Sequence, residues 1–165
     1  MRLWLVRHGD ADAEIPEGLA DEARPLTTKA RHVLDTHFHA LATRLADPAI
    51  VFMSPLVRAV QTAQIMAMTL KYEGPMRVNR VLLPDMPVGA LEGLIQEHAG
   101  QNLILVGHQP SMGALASHLL GMQSFPKPVS PGTVIGLERA DAGTEPARFS
   151  FYAAPGQPLL EAIEP

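Results

Sequence analysis

Short apolar runs alternate along this chain with segments whose apolar residues recur every three or four positions. The runs Arg2–Val6, Ala49–Met53, Met76–Leu82, Leu103–Val106, Thr133–Glu138 and Arg148–Ala153 have the length of strands. Between Thr28 and Ala46, residues Ala30, Val33, Leu34, Phe38, Leu41 and Leu45 fall on one helical face. A second helix is expected to open at Ser54-Pro55, with the serine as N-cap and proline in the first turn, and to end near Gly74-Pro75. A third covers Val88–His98, and a fourth starts at Pro110 and stops at Gly121. Such alternation specifies an α/β fold with a mostly parallel sheet. The last two strands, joined through Asp141-Ala142-Gly143, read as a hairpin, which makes the sheet mixed. Asp10–Pro25 is too long and acidic for an ordinary connection and reads as a functional loop, and the tail after Pro155 as a surface segment.

Bulk properties narrow the function. With 165 residues, 47% of them apolar and 18% charged, the chain has the size and composition of one globular domain over residues 1–165. A net charge of −4 gives no electrostatic footprint for nucleic acid. No apolar stretch reaches about 18 residues and no basic leader opens the chain, so a soluble, cytoplasmic protein without membrane contact is expected. The absence of cysteine excludes disulfides, thiolate nucleophiles and cysteine-based zinc sites.

Three strand-to-helix corners carry the chemistry. The first strand ends in Arg7-His8-Gly9, the second runs into Ser54-Pro55-Leu56-Val57-Arg58-Ala59 with Thr62-Ala63, and the fourth ends in Gly107-His108-Gln109-Pro110. Ligands of open α/β sheets bind at the carboxyl ends of strands, and helix N-termini attract anions. A guanidinium is a permanently charged fork suited to phosphate, and an imidazole is a nitrogen nucleophile or base. Each corner alone has an ordinary structural explanation. Two arginines and two histidines on one rim point together to a phosphoryl group. This reading requires the rings of His8 and His108 to lie close together and both to stay open to solvent.

These motifs resemble those of the histidine phosphatase (phosphoglycerate mutase-like) superfamily, in its small SixA-type form. Arg7-His8-Gly9-Asp10-Ala11, Arg24-Pro25-Leu26-Thr27, the Arg58 helix, Leu83-Pro84-Asp85 and Gly107-His108 carry the likeness. The resemblance implies a three-layer α/β/α sandwich and a metal-independent phosphatase without cofactor. His8 would attack phosphorus while Arg7, Arg58 and His108 hold the oxygens, with Gly9 and Gly107 beside the phosphate. Asp85 has two readings, a general acid or a turn residue between Pro84 and Pro87. Arg24 either reaches the phosphate or lies on the surface, and Ser54 either bonds the anion or only caps its helix. Asp10 and Asp12 are outside candidates for the same acid role. His32, His37 and His39 lie on the first helix, where the two at a two-residue step point to different faces and argue against a metal pair, and His98 and His118 read as helix-surface residues. The implied partner is a phosphohistidine-bearing protein such as a phosphotransfer domain. A small phosphate ester, a non-catalytic phosphate-binding module and a histidine metal site are the rival readings.

Overall fold

The computed structural model describes residues 1–140 and 145–164. The Asp141-Ala142-Gly143 turn lies outside the described residues. Strands β1 (Arg2–Arg7), β2 (Ile50–Met53), β3 (Met76–Val78), β4 (Leu103–Gly107), β5 (Val134–Glu138) and β6 (Arg148–Ala153) form one sheet in the order β3-β2-β4-β1-β5-β6. β1 to β4 are mutually parallel, β5 is antiparallel to β1, and β6 is antiparallel to β5. The sheet is therefore mixed, with the paired last strands read from the sequence.

Helices α1 (Thr28–Ala40) and α2 (Val57–Leu70) cover one face, and α3 (Val88–Glu97) and α4 (Ser111–Leu120) the other. Strand residues divide by parity. Trp4, Val6, Ile104 and Val106 pack with Leu34, Phe38 and Met66 of α1 and α2. Leu3, Leu5, Leu103 and Leu105 pack with Leu91, Met112 and Leu115 of α3 and α4. Strands buried on both faces need continuous rather than alternating apolar sequence, which is why β1 and β4 look like solid apolar runs. Each such side chain contributes about 1.5–3 kcal/mol by leaving water. These two layers of helix around one sheet make the three-layer sandwich. Among the described residues, no helix is long and apolar enough to cross a membrane.

Several boundaries differ from the sequence reading. β3 stops at Val78, because the Asn79 side chain accepts from Val81 N–H and turns Arg80–Leu82 into a single 3₁₀ turn, with Leu82 still in the core. α1 ends at Ala40, yet Leu41 and Leu45 remain buried in the turns that follow, so the apolar period outlasts the helix. α2 ends on Lys71, whose left-handed backbone (φ 53°) terminates it before Gly74. It begins only at Val57, with Leu56 in the capping position, so Ser54 is not its N-cap. The tail crosses beside β6, where Leu160 and Tyr152 exchange backbone hydrogen bonds of 2.8 and 2.9 Å and shield part of that edge.

Candidate active site

Backbone pairing brings the three corners together. His8 N–H donates to Gly107 O at 3.0 Å across β1 and β4, and Ser54 N–H donates to Val106 O at 3.0 Å across β2 and β4. From the β5 side, Gly132, whose φ of 84° suits glycine, donates its N–H to Arg7 O at 3.0 Å. The Thr62 hydroxyl accepts from Gly9 N–H at 3.0 Å and donates to Arg58 O at 2.8 Å, so α2 is tied directly to the end of β1. Gly9 has no room for a side chain: a Cβ there would lie 2.7 Å from Leu34 Cδ1. At Gly107 it would lie 2.9 Å from the flexible end of Met112. A side chain at Gly9 would press on both Leu34 and Leu26, whereas at Gly107 the Met112 end could give way.

The two imidazoles meet with ring centroids 4.9 Å apart at 60°. His8 Nδ1 lies 2.6 Å from Gly9 O. A carbonyl only accepts, so Nδ1 carries the proton and the Nε2 lone pair is left for other chemistry. His108 Nε2 lies 2.8 Å from Ser54 Oγ. His8 is half-buried, whereas His108 is only 3% exposed. The expectation that both rings stay open to solvent is thus corrected for His108, which is buried and bonded to Ser54 even though it lines the cleft.

That cleft measures about 270 Å³ and is lined by the guanidinium residues Arg7, Arg24 and Arg58, both imidazoles, and Asp10. Arg7 donates through one terminal nitrogen to Val129 O at 2.9 Å. Arg58, 6% exposed, donates to Asp21 O at 3.1 Å and to Asp21 Oδ2 at 3.3 Å. The Asp21 carboxylate also accepts from Arg24 Nε at 2.7 Å, and that bond comes first among the effects lowering its pKa. The Nε atoms of Arg7 and Arg58 are buried without a hydrogen-bond partner among the described residues. Unpaired buried donors are costly, and an oxyanion in the cleft is the kind of group that would relieve them.

Burial, first of all, pushes the His8 pKa from 6.5 down to about 4; the Gly9 carbonyl opposes this, and Arg58, Arg7 and Arg24 add to it. Burial followed by the charges of His8, Arg58 and Arg7 brings His108 to about 3. Both rings are neutral at neutral pH, and a lone pair is available on His8. If the His8 lone pair is the reacting group, kcat/KM should fall on the acid side with an inflection near 4, where His8 takes up its proton. A pH–rate profile inflecting at the ordinary value of 6.5 would contradict this environment.

Other sequence candidates fall elsewhere. Asp85 is exposed on a turn with φ 64° and is not among the residues lining the cleft, where its neighbour Pro84 stands instead. Ser54 is fully buried and also does not line it. Arg24 does, and so does Asp10, the one carboxylate among the lining residues. His98, at the end of α3, is half-buried 5.0 Å from the Phe52 ring, with Nδ1 2.9 Å from Gln101 Oε1 on the exposed side. No group of three His, Asp or Glu among the described residues could hold a metal ion. Sequence reasoning missed Asp21 and Gln109. The only signal for Asp21 was its place three residues before Arg24; Gln109, which lines the cleft, simply follows His108.

Comparison with known proteins agrees with this geometry. The family model described as histidine phosphatase superfamily (branch 1) matches residues 3–82. An uncharacterized protein of Picosynechococcus sp. is 33% identical over 150 residues, 86% of this chain and 87% of that protein. The phosphohistidine phosphatase SixA of Escherichia coli (strain K12) is 26% identical over 122 residues, 72% of this chain and 74% of its own. The solved structure of the protein histidine phosphatase SixA complexed with tungstate shares the fold, with a TM-score of 0.84 at 23% identity over 94% of this chain and 97% of that one. The family match over residues 3–82, which carry the Arg7-His8 and Arg58 corners, and the sequence relatives lead to one assignment: the chain belongs to the histidine phosphatase superfamily, branch 1.

Proposed function

We propose that residues 1–165 form a single histidine phosphatase domain that hydrolyses protein phosphohistidine through a phosphorylated His8. The observation that carries this reading is the pair of imidazoles 4.9 Å apart in a cleft ringed by three guanidinium groups. His8 Nε2 attacks phosphorus as the P–N bond to the substrate imidazole breaks, and the leaving imidazole takes a proton from solvent. Water then attacks the phospho-His8 phosphorus, releasing inorganic phosphate and returning the electron pair to Nε2. Arg7, Arg58 and His108 stabilise the charge that gathers on the equatorial oxygens, with Arg24 also lining the cleft. In this scheme guanidinium groups supply the positive charge and no metal is needed.

Phosphohistidine fits better than a phosphate ester because an imidazole is a far easier leaving group than an alkoxide, and Asp85 is not among the residues lining the cleft. The SixA structure of the same fold that was determined with tungstate, a tetrahedral oxyanion, is consistent with a phosphoryl site. The distinguishing experiment is a panel of phosphohistidine protein, phosphoserine and phosphotyrosine peptides and sugar phosphates, run in parallel. Preference for phosphohistidine by at least an order of magnitude in kcat/KM is expected; equal or better turnover of an ester would overturn the substrate assignment.

One observation favours the ester alternative, the presence of Asp10 in the cleft lining. A carboxylic acid there is the group that would have to protonate an alkoxide. Asp10→Asn is therefore expected to leave phosphohistidine turnover within about threefold of wild type, since the substrate needs little acid assistance. A loss of about 10²-fold or more would make Asp10 a general acid and point back to esters.

A further inference from the structure

The buried Ser54–His108 pair does something beyond filling space. Ser54 follows the last residue of β2, and its backbone N–H is fixed to Val106 O on β4, two residues before His108. Its hydroxyl is pinned from the other side by Leu56 N–H, which donates to Ser54 Oγ at 3.2 Å. The Oγ then stands 2.8 Å from His108 Nε2, with Ser54 0% and His108 3% exposed.

Hydrogen-bond accounting assigns the protons. A serine hydroxyl has one donor and two acceptor lone pairs. Leu56 N–H occupies one lone pair, and His108 Nε2 is the only acceptor among the described residues within reach of the hydroxyl proton. If Nε2 carried the imidazole proton instead, it would donate to Ser54 and leave the serine proton without an acceptor in a fully buried position. The ring is neutral, held to about 3 by burial first of all, so just one of its two nitrogens bears a proton. With Nε2 accepting, that proton belongs on Nδ1, which has no hydrogen-bond partner among the described residues.

We propose that Ser54 is a positioning residue that donates to His108 Nε2 and locks the ring in its Nδ1–H tautomer, so that His108 meets the phosphoryl group as a hydrogen-bond donor. This rests on the proposed phosphoryl chemistry for its catalytic consequence, but the tautomer itself does not. A neutral His108 in the other tautomer would turn a lone pair toward the oxygens and repel them. His8, held through Gly9 O, has the same tautomer for the opposite purpose: its bare Nε2 is the electron pair that attacks. The two rings thus divide the work, one giving electrons and one giving a hydrogen bond, through a backbone carbonyl in the first case and a serine hydroxyl in the second.

The test is the ¹⁵N spectrum of the histidine-labelled full chain at neutral pH, together with the kinetics of Ser54→Ala and Ser54→Thr. Wild-type His108 is expected as the Nδ1–H form. Ser54→Ala should shift it toward Nε2–H and lower kcat about 10- to 10²-fold with KM changed by less than about twofold, because the lost donor matters most as charge develops. Ser54→Thr, which keeps the hydroxyl, should restore the Nδ1–H signature. An Nε2–H tautomer in the wild type overturns the proposal, and so does a Ser54→Ala protein with unaltered tautomer or unaltered kcat. The wild-type spectrum decides even if a variant does not fold. Absence of turnover on phosphohistidine with an Nδ1–H spectrum would remove the substrate reading and leave the Ser54–His108 arrangement standing.

Discussion

His8→Ala is expected to abolish turnover and, with it, any phosphoryl label on the protein. Losses on the order of 10⁴ to 10⁶ in kcat accompany removal of a covalent nucleophile, and nothing nearby can replace this one. The chain has no cysteine, and the other cleft imidazole, His108, is 4.9 Å away with its Nε2 engaged by Ser54. The phosphate cradle should survive, because Arg7 and Arg58 are held by Val129 O and Asp21 independently of the His8 ring. The variant should therefore still bind vanadate or tungstate, measured by calorimetry, with affinity within about tenfold of wild type. The covalent step is read separately, by feeding labelled substrate, quenching in alkaline detergent to preserve phosphohistidine, and counting label on the protein. Label in wild type and none in His8→Ala is the expected pair. Ordinary activity in His8→Ala would remove His8 as the nucleophile; loss of oxyanion binding would mean that its role is structural.

The sheet was legible because its physics is local. β1 and β4 are buried on both faces and so must be continuous apolar runs, and their glycine-bearing ends mark where the chain leaves the sheet. The convergence of His8, Arg58 and His108 followed from the same feature, since parallel strands put their carboxyl ends on one rim. Other features were not legible because long-range partners decide them. Ser54-Pro55 has the composition of a helix start, yet the hydroxyl is drawn to His108, 54 residues away, and the helix opens at Val57. Asp85 has the composition of either an acid or a turn; where its carboxylate points depends on how the Arg80–Leu82 turn delivers the chain, and no local pattern encodes that. Asp21 could not be singled out within an acidic loop, because its importance comes from gripping two arginines, one of them 37 positions away. The depth of His108 was equally invisible: its burial and its Ser54 partner, 54 residues away, exist only once the fold is complete.

Arg58→Ala is expected to lower kcat by about 10²–10³, the range for removing one preorganised donor to a developing oxyanion. The side chain is well placed for a large effect. It is 6% exposed, its fork is oriented by Asp21 O and Oδ2, and its own carbonyl fixes the Thr62 hydroxyl that anchors Gly9. The last contact is through backbone and persists in the variant, so the rim should stay in place, as checked by circular dichroism. Arg58→Lys should recover little, since an ammonium cannot satisfy Asp21 and a phosphoryl oxygen with one planar fork. A second readout separates electrostatics from collapse. Arg58 is one of the charges that lower the His8 pKa, after burial. Removing it makes the protonated ring less unfavourable, so the His8 pKa must rise and the acid limb of kcat/KM must move up from about 4 toward 6.5. The same sign holds for stability. Because His8 in the folded chain binds its proton only below the unfolded value, folding is favoured above 6.5 and loses that contribution as the pH falls toward 4; the variant should lose less of it. A folded Arg58→Ala protein with kcat within about tenfold of wild type and an unmoved acid limb would show that this guanidinium neither holds the phosphoryl group nor tunes the nucleophile.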